Sequence, residues 1–235
     1  FADMMKIFGV GVIVALHWVT FYGSVKYGNV SVALVCFSAT GFFTAFFEPL
    51  ILKRRLSLIE VLLGMMAIAG IYIIFDFHPQ YKVGIIFGIL SAMGSALFPI
   101  FNKRLLVTYE PKILTVYELG GGLLALTVIV PVYLTQFPAA YYLPTVSDWA
   151  WLLVLAWLCT VLSFDLQLNA LKKVSAFTAN LTYNLEPVYG IILAFLFFKE
   201  NENLHREFYF GVLLILLAVV LQMLRIRSQY KQQRG

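Results

Sequence analysis

Residues 175–199, SAFTANLTYNLEPVYGIILAFLFFK, place acid and amide chemistry inside an apolar run. Glu186 stands near the middle, Pro187 follows it, and Thr178, Asn180, Thr182, Tyr183 and Asn184 precede it. A carboxyl there can hold a proton or meet a polar solute. Pro187 has no N–H, so in a helix the carbonyl of Tyr183 is left free to accept from a solute or water. At about 100° per residue, Thr178, Thr182, Glu186 and Tyr189 share one face, and Asn180, Tyr183, Asn184 and Pro187 share another. A run polar on two sides is expected to be enclosed by protein or to border a wet cavity.

Other residues of chemical interest are spread along the chain. His17 lies mid-segment with Thr20 and Ser24 on its face and Trp18 and Phe21 beside it. Its readings are a solute-binding or proton-carrying group, or a satisfied packing group. Cys36, Thr40, Thr44 and Glu48 recur at steps of four on one face. Glu48 is close to Lys53 and Arg54, which points to an ion pair as well as to a gating network. The threonines can bond back to carbonyls of their own helix or join helices. Glu118 precedes Gly120-Gly121-Gly122, a run that allows close packing or a break. Asp165 and Asn169 share a face, as do Ser163 and Gln167. With Glu118 they form either a cytoplasmic gate or ordinary interhelical bonds. Gly84, Gly88, Ser91 and Ser95 make a small-residue stripe suited to close packing.

The elements that hold these groups are membrane spans. The chain has 235 residues, 61% hydrophobic and 12% charged, where soluble domains carry roughly 25% charged residues. Mean hydropathy is +0.87. The class is all-α polytopic membrane protein. Eight apolar segments are read at 7–26, 30–52, 57–75, 83–103, 112–135, 149–171, 175–198 and 207–225. Short connections between them imply an antiparallel bundle in a lipid bilayer. The net charge of +5 resides in short loops, so nucleic acid is not an expected partner. Cys36 and Cys159 lie in apolar runs and read as small core residues. No spaced His, Asp, Glu or Cys motif suggests a metal, a cofactor or an enzyme.

Thirteen of the seventeen Lys and Arg residues fall in alternate loops with the tail, including Lys6, Lys53, Arg55, Lys103, Lys112, Lys172 and Arg225. The positive-inside rule therefore places both ends of the chain, and the basic tail 226–235, in the cytoplasm. The N-terminal residues lack the pattern of a signal peptide.

A faint repeat is visible at a spacing of 146 residues. It aligns Leu16 with Leu162, Lys26 with Lys172, Ala33 with Ala179, Leu50 with Leu196 and Lys53 with Lys199. One residue later, Gly64 aligns with Gly211. Segments one to three then match six to eight, an odd number of crossings apart, so the copies run in opposite senses. That is the inverted repeat of many secondary transporters, whose site lies at the repeat interface. Residues 1–75 would hold three helices of the first repeat and 83–225 all five of the second. The uneven count predicts two further helices before Phe1.

HWVTFYGSVKYGNVSVALVCFSATGFFTAFFEPLILKRRLS and NALKKVSAFTANLTYNLEPVYGIILAFLFFKE resemble helices of the EamA-type transporters of the drug/metabolite transporter superfamily. The resemblance extends over essentially the whole chain. One departure is Thr40-Gly41 where the second copy has Glu186-Pro187. The resemblance implies a ten-helix inverted-repeat exporter or permease of small metabolites in the cytoplasmic (inner) membrane. A channel-like pore and a non-transporting scaffold are the alternatives. Pairing of two copies is left open.

Overall fold

The computed structural model describes the chain except residues 1, 54, 78, 137–142, 175–185, 200–205 and 233–235. The described residues form helices and the turns between them, with no strand among them. In chain order the helices are α1 (Ala2–Tyr27), α2 (Val30–Phe37), α3 (Thr40–Leu52), α4 (Leu58–Phe77), α5 (Lys82–Leu105), α6 (Pro111–Gln136), α7 (Val146–Val154), α8 (Ser163–Lys173), α9 (Glu186–Phe198) and α10 (Arg206–Gln232). Among the described residues, six stretches are long and apolar enough to cross a bilayer: Asp3–Tyr27, Val30–Leu52, Lys82–Leu105, Pro111–Thr135, Val146–Lys173 and Arg206–Arg225. Leu58–Ile73 and Tyr189–Phe198 are shorter apolar helices. Residues 175–185 of the predicted segment 175–198 lie outside the described residues. The protein is an all-α polytopic membrane protein.

The helix ends follow local chemistry. The Asn29 side chain accepts from the Val32 N–H at 2.7 Å and starts α2. Pro111 starts α6, where a missing N–H costs nothing. Thr145 and Asp148 form a reciprocal capping box at α7. Among the described residues other than glycine, only Lys53 (φ 53°) and Lys199 (φ 51°) adopt positive φ. Lys53 closes α3 in the left-handed conformation, and Lys199 directly follows α9.

Two predicted single spans are internally irregular. The span 30–52 is divided at Ser38-Ala39. There Ser38 Oγ donates to the Val35 carbonyl at 2.6 Å, Thr40 Oγ1 to that of Phe37 at 2.6 Å, and Thr44 Oγ1 to that of Thr40 at 2.8 Å. Such back-bonding competes with the helical ladder and bends it. Between α7 and α8, Leu155–Leu162 winds as a π-helix.

The chain divides into two compact units. The first comprises Phe1–Leu16 and Phe101–Ser175, the second His17–Ile100 and Ala176–Gly235. Each combines segments from both halves of the sequence.

In the first unit Val10, Val14, Leu114, Phe164, Leu168 and Leu171 are buried. Helices α1 and α6 meet through glycine. A Cβ on Gly11 would lie 2.0 Å from the Glu118 carbonyl oxygen, and one on Gly121 would lie 2.6 Å from Phe8. Because α6 is continuous through Gly120-Gly121-Gly122, the run serves close approach rather than a break. Lys103 Nζ donates to the carbonyls of Leu171 at 2.5 Å and Val174 at 2.6 Å. A cation there satisfies carbonyls that the end of α8 leaves open.

In the second unit, Val32, Val35, Ala67, Ile71, Ile85, Ile191, Phe208 and Ile215 belong to one core cluster. Gly70 lets α4 approach α10: a Cβ there would lie 2.7 Å from the Gly211 carbonyl oxygen. Gly84 and Gly88 of α5 pack in the same way against Gly28 and Cys36. Arg225 Nη1 donates to Glu60 Oε1 at 3.1 Å and Nη2 to Ser57 Oγ at 2.8 Å, both ends being largely buried. Arg225, counted from sequence among the cytoplasmic-side cations, therefore also locks α10 to the start of α4. Removing either charged partner strands the other. Glu60→Ala and Arg225→Ala are each expected to lower stability by about 1.5–3 kcal/mol, read as a fall in melting temperature in detergent. Unchanged melting in both variants would demote the pair to surface decoration.

Candidate functional site

Each unit holds its own cluster of buried polar side chains. In the second unit the centre is His17, only 8% exposed. Its Nδ1 lies 2.9 Å from the Ser91 carbonyl oxygen and 2.8 Å from Ser91 Oγ. A carbonyl can only accept, so the contact assigns the proton to Nδ1 and leaves a lone pair on Nε2 in the neutral ring. Ser91 Oγ donates in return to the His17 carbonyl at 3.2 Å. The imidazole stacks on Phe37 at 5.6 Å and on Phe98 at 6.4 Å, with Phe21 at 6.5 Å. Thus α1, α2 and α5 build an aromatic box around one basic nitrogen. Ser91, expected only as part of a packing stripe, is the hydrogen-bond partner.

Along α3, Thr40, Thr44 and Glu48 are all buried on one face. The threonine hydroxyls donate within their own helical run, which is the back-bonding expected of them. Trp18 is half-buried. Tyr183, Asn180, Asn184, Thr182 and Thr178 lie outside the described residues. Glu186 is the first described residue of α9, and it is exposed, as is Tyr189. The buried side of α9 is instead formed by Ile191 and Ala194, with Gly190 against Leu34 of α2. At about 100° per residue Glu186 stands at the margin of that stripe.

In the first unit Glu118 is fully buried. Asn102 Nδ2 donates to its Oε2 at 3.0 Å. Asp165 is engaged separately: Asn169 Nδ2 donates to its carbonyl at 2.8 Å and to Oδ2 at 3.1 Å. Asp165 lines an open groove of about 730 Å³ with Lys112, Thr115, Trp157 and Val161. The two acids, read from sequence as a gate or as ordinary interhelical bonds, have different hydrogen-bond partners, Asn102 and Asn169. Glu118 is buried, while Asp165 borders the groove.

These features have a family context. The EamA-like transporter family matches residues 1–76 and 82–224. This chain belongs to the EamA-like transporter family. It is 23% identical over 206 residues to an uncharacterized transporter of Clostridium kluyveri (strain ATCC 8527 / DSM 555 / NBRC 12016 / NCIMB 10680 / K1), covering 84% of this chain and 65% of that protein. It is 25% identical over 147 residues to an uncharacterized transporter of Archaeoglobus fulgidus (strain ATCC 49558 / DSM 4304 / JCM 9628 / NBRC 100126 / VC-16), covering 62% of this chain and 51% of that one. The EamA chain therefore spans between half and two thirds of these relatives. A solved structure described as "Crystal structure of protein" shares the fold with a TM-score of 0.61 at 16% identity, over 95% of this chain and 76% of that one.

Asn102, Ser91 and Lys103 were not singled out as functional partners in the EamA sequence. Asn102 left a usable signal: an amide next to the Lys103-Arg104 end of an apolar segment is costly unless bonded. Ser91 and Lys103 left none, because a small residue and a loop cation are each common at such positions.

Proposed function

We propose that this EamA chain carries the central path of a secondary transporter. It would move small metabolites or amino-acid-like solutes across the cytoplasmic membrane by alternating access, with both ends of the chain in the cytoplasm. The observation that carries this reading is the pair Lys53 and Lys199. They are the two described non-glycine residues with positive φ, and they stand at the repeat spacing of 146 residues. Left-handed φ is uncommon for lysine. Its recurrence at matched positions supports a duplicated architecture, whose two copies alternating access rocks against each other. The two stretches matched by the family support the same division.

His17 offers Nε2 as an acceptor within an aromatic box, suited to a solute with an N–H or O–H donor. Glu186 supplies the acid. A charged carboxylate facing hydrocarbon costs about 2.5–3.5 kcal/mol, so its exposed position is read as bordering a wet path. There it meets the solute or carries a proton.

The test is counterflow in proteoliposomes, with a solute found by comparing media of cells with and without the gene. Glu186→Gln is expected to fold normally and to lose at least about tenfold in rate, equivalent to about 1.4 kcal/mol of barrier. Wild-type counterflow in that variant would return Glu186 to a structural role. Conductance at channel rates in the unmodified protein would favour a pore instead.

A further inference from the structure

The buried pair Glu118–Asn102 is incomplete in a specific way. Asn102 Nδ2 donates to Glu118 Oε2 at 3.0 Å, yet Glu118 Oε1 and Asn102 Oδ1 are both sealed from solvent with no hydrogen-bond partner. Both side chains are 0% exposed. Two orphaned acceptors on two groups already joined by one bond can both be satisfied by one added proton. A proton on Oε1 turns the carboxylate into an acid that donates to Asn102 Oδ1. The acid and the amide then close a ring of two hydrogen bonds, and neither oxygen stays orphaned.

We propose that Glu118 is a resident proton-binding site, holding one proton from solution as a neutral acid–amide pair with Asn102. A metal cation fits poorly, because hard cations take about six or more oxygen ligands and only these two oxygens lack partners here. The surrounding charged groups do not neutralise a bare carboxylate either. On α1, Lys6 pairs with Asp3 at 2.8 Å. On α5, Lys103 donates to the carbonyls of Leu171 and Val174, and Arg104 lines a surface groove with Lys6. On α6, Tyr117 sits edge-on to Phe8, and Lys112 borders the groove of Asp165. On α8, Asp165 accepts from Asn169. An ionised Glu118 would be a buried charge with one amide donor, a costly arrangement. This site is distinct from Glu186, and its occupancy does not depend on which solute is moved.

Infrared difference spectroscopy on the purified protein at neutral pH tests the assignment. The expected result is a protonated-carboxyl C=O band that shifts in heavy water and is lost in Glu118→Gln. Asn102→Leu should move the same band to higher frequency, because its hydrogen bond is gone. Glu118→Gln should keep the wild-type melting temperature, since its amide reproduces the donor and the acceptor of the acid, whereas Glu118→Ala should lose it. Absence of the band in the wild type, or its persistence in Glu118→Gln, overturns the proposal. Should Glu118→Gln yield no folded protein, the Asn102→Leu spectrum decides alone: an unmoved band refutes the pairing.

Discussion

Gly11→Ala is expected to unfold the packing of α1 on α6, while Gly9→Ala, two residues away on the same helix, is expected to be tolerated. A Cβ at position 11 would lie 2.0 Å from the Glu118 carbonyl oxygen and 2.8 Å from its carbon. Those atoms are backbone and cannot rotate aside, so the two helices must separate. Overpacking with a movable neighbour typically costs 1–3 kcal/mol; against main chain we expect more than about 3 kcal/mol. A Cβ at position 9 meets nothing within 4 Å, and replacing glycine within a helix returns about 0.5–1 kcal/mol of backbone entropy. Melting curves of the two variants in one detergent check the contrast. Equal behaviour of the pair would mean that the contact at Gly11 is not the one described.

His17→Phe is expected to cut transport by at least about tenfold, corresponding to about 1.4 kcal/mol of barrier, while preserving the fold. Phenylalanine is of comparable size and suits a site already walled by Phe21, Phe37 and Phe98. It removes the Nδ1 donor to Ser91, which costs about 0.5–1.5 kcal/mol of stability. The serine hydroxyl still donates to the carbonyl of residue 17, so no buried donor is stranded. What disappears altogether is the lone pair on Nε2. Melting temperature and counterflow rate separate the two losses: a small shift in the first with a collapse of the second assigns His17 to the solute path. A phenylalanine variant with normal counterflow would make His17 a packing residue.

The class of this protein and the course of its helices were legible in the residues themselves. Twenty or so apolar residues closed by Lys53, by Pro111 or by Asn29 leave the chain few alternatives, since a span in hydrocarbon must satisfy its backbone internally. The shared left-handed φ of Lys53 and Lys199 falls at the spacing of 146 read from the residues. The pairing of side chains was not legible. Helical periodicity states which face a residue occupies and is silent on which neighbour that face meets. His17 reads the same whether it opens onto a path or bonds Ser91, 74 positions later. Glu118 and Asp165 read alike, as a gate or as interhelical bonds, because they lie at similar depth; folding buried one beside Asn102 and left the other at a groove. For Glu186 the polar pattern left both protein and a wet cavity open, because burial is set by what packs alongside, and α9 turns Ile191 and Ala194 inward while Glu186 is exposed. Depth and face are local properties carried by sequence; partners are decided by contacts between distant segments, which only the folded chain brings together.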